Sequence, residues 1–60
     1  MIYFSIQGRC TDNSWREIRK VEVPDLSWAL TIYVPCLAGE RGISIDDCRA
    51  IPITEQEFKQ

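Results

Sequence analysis

The sequence predicts one α+β domain spanning residues 1–60, in which a small antiparallel sheet is covered on one face by one helix. Three observations predict this class. Residues 1–10 alternate between apolar and polar side chains, as a half-buried strand does. Residues 24–42 carry the start and stop signals of a helix. The composition, 45% hydrophobic and 27% charged, is that of a globular protein. The predicted order is strand, strand, helix, strand and a short C-terminal turn.

The first two strands are expected to pair as a hairpin. Ile2, Phe4 and Ile6 share one face of the first strand, and the intervening polar residues share the other. The four residues at 11–14, Thr-Asp-Asn-Ser, have side chains that bond back to the backbone and favour a turn. A second strand is then expected over residues 15–23, because it returns the chain beside the first.

The alternation in the second strand contains a defect at Ile18. Trp15, Val21 and Val23 share one face of this strand, whereas Ile18 lies on the opposite face. Two interpretations follow. Either a β-bulge near Arg19 corrects the alternation, or Ile18 is exposed and becomes a candidate contact residue.

Residues 24–42 fit both a helix and a strand. Pro24-Asp25 and the glycines at the far end are helix boundary signals, whereas the run 31–34, Thr-Ile-Tyr-Val, has high β-propensity. A helix is favoured because it covers the apolar face of the hairpin, which a third strand would leave open. We expect it over residues 25–34, ended or kinked at Pro35, with a further turn to Gly39. The expected core consists of Phe4, Ile6, Trp28, Leu30 and Tyr33.

The C-terminal part of the chain predicts an edge strand and a capped helical turn. Residues 48–53 look like a strand, and Pro52 places that strand at an edge because proline cannot donate to a central ladder. Thr54 and Glu57 have the spacing of a capping box, and Ile53 and Phe58 could form the hydrophobic staple that accompanies it.

The residue types available for catalysis are few. The chain has no histidine, which removes the commonest general base and the commonest metal ligand. Its three cysteines, at positions 10, 36 and 48, have no metal-binding spacing, and their odd number favours free thiols in a reducing cytoplasm. The sequence therefore predicts a cytoplasmic protein that is not an enzyme and holds no metal or cofactor. No segment is long and apolar enough to span a membrane.

The distribution of charge predicts a dipolar molecule, whose charged faces either steer association with a protein partner or only keep the protein soluble. Residues 9–20 carry a local excess of two positive charges, whereas residues 21–60 have a net charge of −4. If the third strand and the C-terminal turn follow one edge, the carboxylates there would form an acidic edge that imitates phosphates in front of a basic groove. The candidate residues of this acidic edge are Glu40, Asp46, Asp47, Glu55 and Glu57.

The alternative function is direct nucleic-acid binding by the hairpin. Basic residues interleaved with an aromatic side chain are typical of proteins that bind single strands. The few positive charges and the net charge of −2 argue against it. The candidate residues are Arg9, Trp15, Arg16, Ile18, Arg19 and Lys20.

The layout of residues 21–53 resembles that of short hairpin–helix–strand proteins encoded by phages and prophages. The resemblance lies in Val-Glu-Val at 21–23, the helix start at 24–25, Leu-Ala-Gly-Glu-Arg-Gly at 37–42 and Arg-Ala-Ile-Pro-Ile at 49–53. Many proteins of this kind are small acidic inhibitors of host machinery, and anti-CRISPR proteins are one such class. The resemblance implies an inhibitor, monomeric or dimeric, that occludes a nucleic-acid-binding surface of a host protein or ribonucleoprotein in the host cytosol. It includes no functional motif.

Overall fold

A computed structural model describes residues 1–60 and has the expected order of elements. One antiparallel sheet, with strand order β2-β1-β3, is covered on one face by a long helix, so the predicted α+β class is confirmed. A single 3-10 turn, Ile45–Asp47, precedes the last strand. The strands are β1 (Ile2–Arg9), β2 (Trp15–Val23) and β3 (Cys48–Ile53); the helices are α1, residues 26–41, and α2 (Glu55–Lys59).

The hairpin contains the β-bulge that the sequence predicted as one of two possibilities. Ile6 pairs with Arg19 and Gln7 pairs with Glu17, so Ile18 is the extra residue in β2. The bulge turns Ile18 toward the helix side of the sheet, where it is half-buried and packs against the core. Ile18 is therefore not the exposed contact residue that the other interpretation required.

Helix α1 continues through Pro35. It consists of the α-helical segment Leu26–Trp28, the π-helical segment Ala29–Tyr33 and the α-helical segment Val34–Arg41. In the π-helical segment the Val34 N–H donates to the Ala29 carbonyl, five residues back. This wider turn lies directly before Pro35, which has no backbone N–H to donate. The helix therefore does not end at Pro35, and the irregularity beside this residue is the π-helical segment.

Both ends of α1 have recognisable caps. The Asp25 side chain accepts a hydrogen bond from the Trp28 N–H at 2.9 Å. At the other end Gly42 has a φ of +68°, which favours glycine, and the Ile43 N–H donates to the Ala38 carbonyl at 3.0 Å. The sequence predicted a last turn to Gly39, whereas the helix continues to Arg41 and is capped by Gly42.

The core lies between α1 and the sheet, and two of the three helix residues expected in it are exposed instead. Phe4 and Ile6 are buried as predicted, and Tyr33 is half-buried against the same cluster. Trp28 and Leu30 are exposed, so their assignment to the core is wrong. For Leu30 the π-helical segment explains the error, because it shifts the buried stripe by one residue, to Ala29. The residues of α1 that are buried are Ala29, Val34, Leu37 and Ala38.

The other face of the sheet is partly covered by α2. The Phe58 ring packs on the Tyr3 ring with centroids 4.8 Å apart. The Lys20 ammonium donates to the Glu57 carbonyl at 2.8 Å, which ties α2 to β2. The capping box at Thr54 is present with both of its hydrogen bonds, as the sequence predicted.

Candidate interaction surfaces

The side of α1 that faces away from the sheet is exposed and uncharged. Eight of the fourteen residues at positions 26–39 are exposed, and none of the fourteen is charged. The large apolar side chains among them are 45–47% exposed, namely Leu26, Trp28, Leu30 and Ile32. Together they present on the order of 400 Å² of apolar surface, the size of the largest apolar patch on a typical monomer, which is often functional.

Two rows of residues organise this surface, which we call the outer face of α1. A small row consists of Ser27, Thr31, Pro35 and Gly39, and a large row beside it consists of Trp28, Ile32 and Cys36. The Thr31 hydroxyl donates to the Ser27 carbonyl at 2.7 Å, which shows that residues four apart are stacked along the helix. Because the π-helical segment holds more residues per turn than an α-helix, these rows run nearly along the helix axis. Leu26 and Leu30 flank the small row on its other side.

A second candidate surface is an open groove at the hairpin end of the sheet. The groove has a volume of about 460 Å³, and Gly8, Ile18 and Ile43 contribute to its lining. Three arginines from three elements also line it: Arg9 from β1, Arg16 from β2 and Arg41 from α1. The side chains of Arg16 and Arg41 make no ion pair or hydrogen bond within the chain. The groove is therefore a site where an anionic group could be bound.

Trp15 and a fourth arginine lie on the neighbouring, open face of the sheet. The Arg49 guanidinium stands 4.2 Å from the centroid of the Trp15 ring, and that of Arg9 stands 5.7 Å from it. Arg49 also donates to the Gln7 side chain at 2.8 Å. Trp15 is therefore already stacked with cations and does not offer a free ring to a nucleic-acid base.

A chain of hydrogen bonds satisfies the polar groups on this open face. The Gln7 side-chain N–H donates to the Ser5 hydroxyl at 3.2 Å, and that hydroxyl donates to the Glu17 carboxylate at 2.7 Å. Ser5 is almost fully buried, so its hydroxyl needs these partners. The network is structural, and its members are not free to bind a ligand.

The five carboxylates of the predicted acidic edge form two groups at opposite ends of β3. Glu40, Asp46 and Asp47 lie before this strand, and Glu55 and Glu57 lie after it. Since β3 has six residues, the two groups are separated by roughly 20 Å. The structure therefore does not gather the five side chains into one cluster.

Three of these five carboxylates already have a partner. Asp47 accepts hydrogen bonds from the Arg9 guanidinium, Glu55 forms an ion pair with Lys59 at 3.2 Å, and Glu57 accepts from the Thr54 N–H at 3.1 Å. Glu40 and Asp46 are exposed and have no ion pair. These two are the carboxylates of the acidic edge that remain available to a partner.

The hairpin residues of the alternative function are also dispersed. Arg19 pairs with Ile6 and Lys20 pairs with Ser5, so the two side chains lie on opposite faces of the sheet. Lys20 is held by α2, as described above. The residues that sequence reasoning missed are Arg41 and Arg49, which only the folded chain brings to the hairpin end.

The cysteines and acidic residues form no metal site. No group of three or more such side chains is placed to hold a metal ion. Cys36 is exposed, whereas Cys48 is half-buried with its thiol directed at the Ser44 carbonyl, 3.6 Å away. Burial, followed by the negative charge of Asp47, raises the pKa of the Cys48 thiol. Cys48 is therefore a poor nucleophile.

The fold and these surfaces define a small α+β protein with an uncharged helix face and an arginine-lined groove. No helix has the length and apolar character needed to cross a bilayer. Comparison of the chain with protein-family models, with curated proteins and with solved structures finds no match.

Proposed function

We propose that this protein is a small, non-catalytic protein-binding module whose binding surface is the outer face of α1. The observation that supports the proposal is the absence of charge from a helix face that carries four large, half-exposed apolar side chains. The solvent-facing side of a surface helix normally carries charged and polar residues. A partner that covers this face would remove its apolar area from water, which favours association.

The charged residues lie outside this face and would act on the encounter with the partner. Glu40 and Asp46 carry unpaired carboxylates near the C-terminal end of α1, and such charges raise association rates with a basic partner more than they change dissociation. A narrower form of the proposal is an inhibitor that occludes a nucleic-acid-binding surface of a host complex. In that form the helix face supplies the affinity, and the carboxylates orient the protein toward the basic surface.

The test is a capture experiment with matched variants. Wild-type protein is immobilised and exposed to an extract of the cells that contain it, and bound proteins are quantified by mass spectrometry. Leu30→Glu with Ile32→Glu places two charges on the outer face, whereas Ile45→Glu places one on an exposed apolar residue outside α1. We expect a partner that is retained by wild type and by Ile45→Glu and lost with the double variant. Equal retention by the double variant would refute the proposal.

A second candidate function, binding of a nucleic acid, is favoured by the arginine-lined groove. Arg16 and Arg41 face this groove without internal partners. A mobility shift with single-stranded DNA or RNA at low salt tests this function, and a shift that Arg16→Ala with Arg41→Ala abolishes would support it. A shift that the double variant leaves unchanged, or no shift at low salt, would exclude the groove as a nucleic-acid site.

A further inference from the structure

We propose that the arginine-lined groove binds one small phosphomonoester, a molecule that carries a single phosphate group on an apolar or aromatic body. The groove lies outside the outer face of α1, so the inference goes beyond the proposed protein-binding function. It also differs from the second candidate function, because the ligand is one small anion and not a nucleic-acid strand. Three features of the groove support it: its unpaired charge, its apolar floor and its size.

The groove carries two positive charges that no other group of the chain neutralises. Arg16 and Arg41 line it from different elements, and neither side chain has an ion pair or hydrogen bond. Glu40, the neighbour of Arg41 in the chain, does not line the groove. A guanidinium presents its N–H groups as a planar fork that matches the oxygens of a phosphate. Two unpaired guanidinium groups balance a phosphomonoester, which carries close to two negative charges near neutral pH, whereas a carboxylate would leave one of them unbalanced.

The carboxylates nearest to the groove are held by other partners. Glu17 also lines the groove, but its carboxylate accepts a hydrogen bond at 2.7 Å from the Ser5 hydroxyl, on the open face of the sheet. Asp47 accepts from the Arg9 guanidinium, so these two charges balance each other. The positive charge that remains available to a ligand is that of the two unpaired arginines.

The floor of the groove is apolar because Gly8 has no side chain. A Cβ at this position would lie 2.9 Å from the Ile43 side chain and 3.1 Å from that of Ile18, so the two isoleucines close over the strand at the glycine. Both isoleucines are half-buried and line the groove. An apolar floor beside two guanidinium groups suits an anion attached to an apolar body, since that body covers the floor and removes it from water.

The size and the fixed walls of the groove suit a small ligand. Its volume of about 460 Å³ lies within the roughly 300–1,000 Å³ of small-molecule sites. The hairpin turn beside it is held by a 2.8 Å hydrogen bond from the Cys10 N–H to the Ser14 carbonyl, and the chain after α1 is held by the Ile43 N–H on the Ala38 carbonyl. Walls that are in place before binding lower its entropic cost. A nucleic-acid strand needs cationic contacts to successive phosphates, and the groove offers only two unpaired cations.

The affinity is limited by the exposure of both arginines. Ion pairs at exposed side chains contribute little, because water and salt screen them. We therefore expect a dissociation constant on the order of 0.1–1 mM at low salt, which increases as salt is added.

Nuclear magnetic resonance titrations with three probes test the ligand class. Phenyl phosphate is the phosphomonoester, phenyl sulfate has the same ring but one negative charge, and inorganic phosphate lacks the ring. At about pH 7.5 and low salt we expect phenyl phosphate to shift the amides around the groove and to bind roughly fivefold more tightly than either of the others. Equal binding of phenyl phosphate and either other probe, or no shifts at the groove with millimolar phenyl phosphate, would overturn the inference.

Two matched arginine variants test the site. Arg16→Ala removes an arginine that lines the groove, whereas Arg19→Ala removes an equally exposed arginine of the same strand that does not line it. Surface changes of this kind leave the fold intact. We expect Arg16→Ala to weaken phenyl phosphate binding by roughly threefold or more, the further change Arg41→Ala to abolish it, and Arg19→Ala to bind like wild type. Equal weakening by Arg16→Ala and Arg19→Ala would show that only net charge matters and would overturn the site.

The thiol of Cys10 reports whether the groove is occupied. Cys10 is half-buried and lines the groove, whereas Cys36 is exposed on α1. Bound phenyl phosphate should slow the reaction of Cys10 with iodoacetamide and leave that of Cys36 unchanged. Unchanged labelling of Cys10 at a saturating concentration of the probe would place the binding outside the groove.

Oligonucleotides separate this inference from the two proposed functions. A short oligonucleotide that binds more tightly than phenyl phosphate, and equally well with a 5′-phosphate or a 5′-hydroxyl, would overturn the small ligand in favour of a nucleic-acid strand. The capture experiment is independent of both outcomes, because its variants change the outer face of α1 and leave the groove intact.

Discussion

The orientation of α1 is tested most sharply by truncating two leucines of the same helix. Leu37 is 2% exposed and lies in the core cluster, whereas Leu30 is 46% exposed on the outer face. A chain of this length has a total stability of about 3–9 kcal/mol. Leu37→Ala should cost about 3 kcal/mol, because it removes buried methyl groups and leaves a cavity against the sheet. Leu30→Ala should cost less than about 1 kcal/mol, because about half of its surface is already in water.

Urea denaturation followed by circular dichroism measures both costs. The protein is kept at low micromolar concentration, so that association does not add to the stability. In thermal melts the difference of about 2 kcal/mol between the variants corresponds to roughly 8–16 °C. If Leu30→Ala were as costly as Leu37→Ala, the helix would be rotated from the orientation described here, and the uncharged outer face would not exist.

Three further predictions concern the caps, the proline and the thiols. Asp25→Ala should destabilise the protein by about 1 kcal/mol in urea, because the Trp28 N–H loses its acceptor, and Asp25→Ser should restore most of this. Pro35→Ala should keep the helical circular dichroism signal and change the stability by less than about 1 kcal/mol, because alanine restores a donor but also gives the unfolded chain more freedom; concentration-dependent aggregation would contradict this. Iodoacetamide should label Cys36 before Cys48, as followed by mass spectrometry, because the raised pKa of the Cys48 thiol lowers its thiolate fraction. Faster labelling of Cys48 would show that this thiol is not protected.

The strands were predictable because successive side chains of a strand point to opposite faces of the sheet. This alternation can be recognised without knowing which distant residues the strand contacts. The alternation of Ile2, Phe4 and Ile6 survives in the structure, and the defect at Ile18 correctly indicated a bulge. Pro52 correctly indicated an edge strand. In each case the local pattern and the sheet geometry agree, so the sequence alone was sufficient.

The rotation of α1 about its own axis, which decides which of its residues face the sheet, was not predictable in the same way. A regular helix that buries Leu37 also places Leu30, seven residues earlier, on the buried stripe, but the π-helical segment before Pro35 inserts one residue and puts Ala29 in that place. The sequence showed that Pro35 disturbs the helix but not whether the helix would break or widen.

The candidate surfaces depend on contacts between distant parts of the chain. The sequence shows that residues 26–39 carry no charge, but it does not show which of their large apolar side chains face away from the sheet. The arginine-lined groove requires Arg41 from the end of α1 to meet the hairpin, which local patterns do not predict. The acidic edge was expected to be continuous, whereas β3 separates its residues into two groups.

The most direct test of the central claim, that the outer face of α1 is a binding surface, is nuclear magnetic resonance of the wild-type protein during titration with the partner that the capture experiment retains. Backbone amide shifts are followed as the partner is added. The account predicts that the shift changes concentrate on the small and large rows, above all at Ser27, Trp28, Thr31 and Ile32, and that Leu30→Glu with Ile32→Glu removes them. Shift changes confined to the hairpin end or to the two carboxylate groups, with the outer face unchanged, would contradict it.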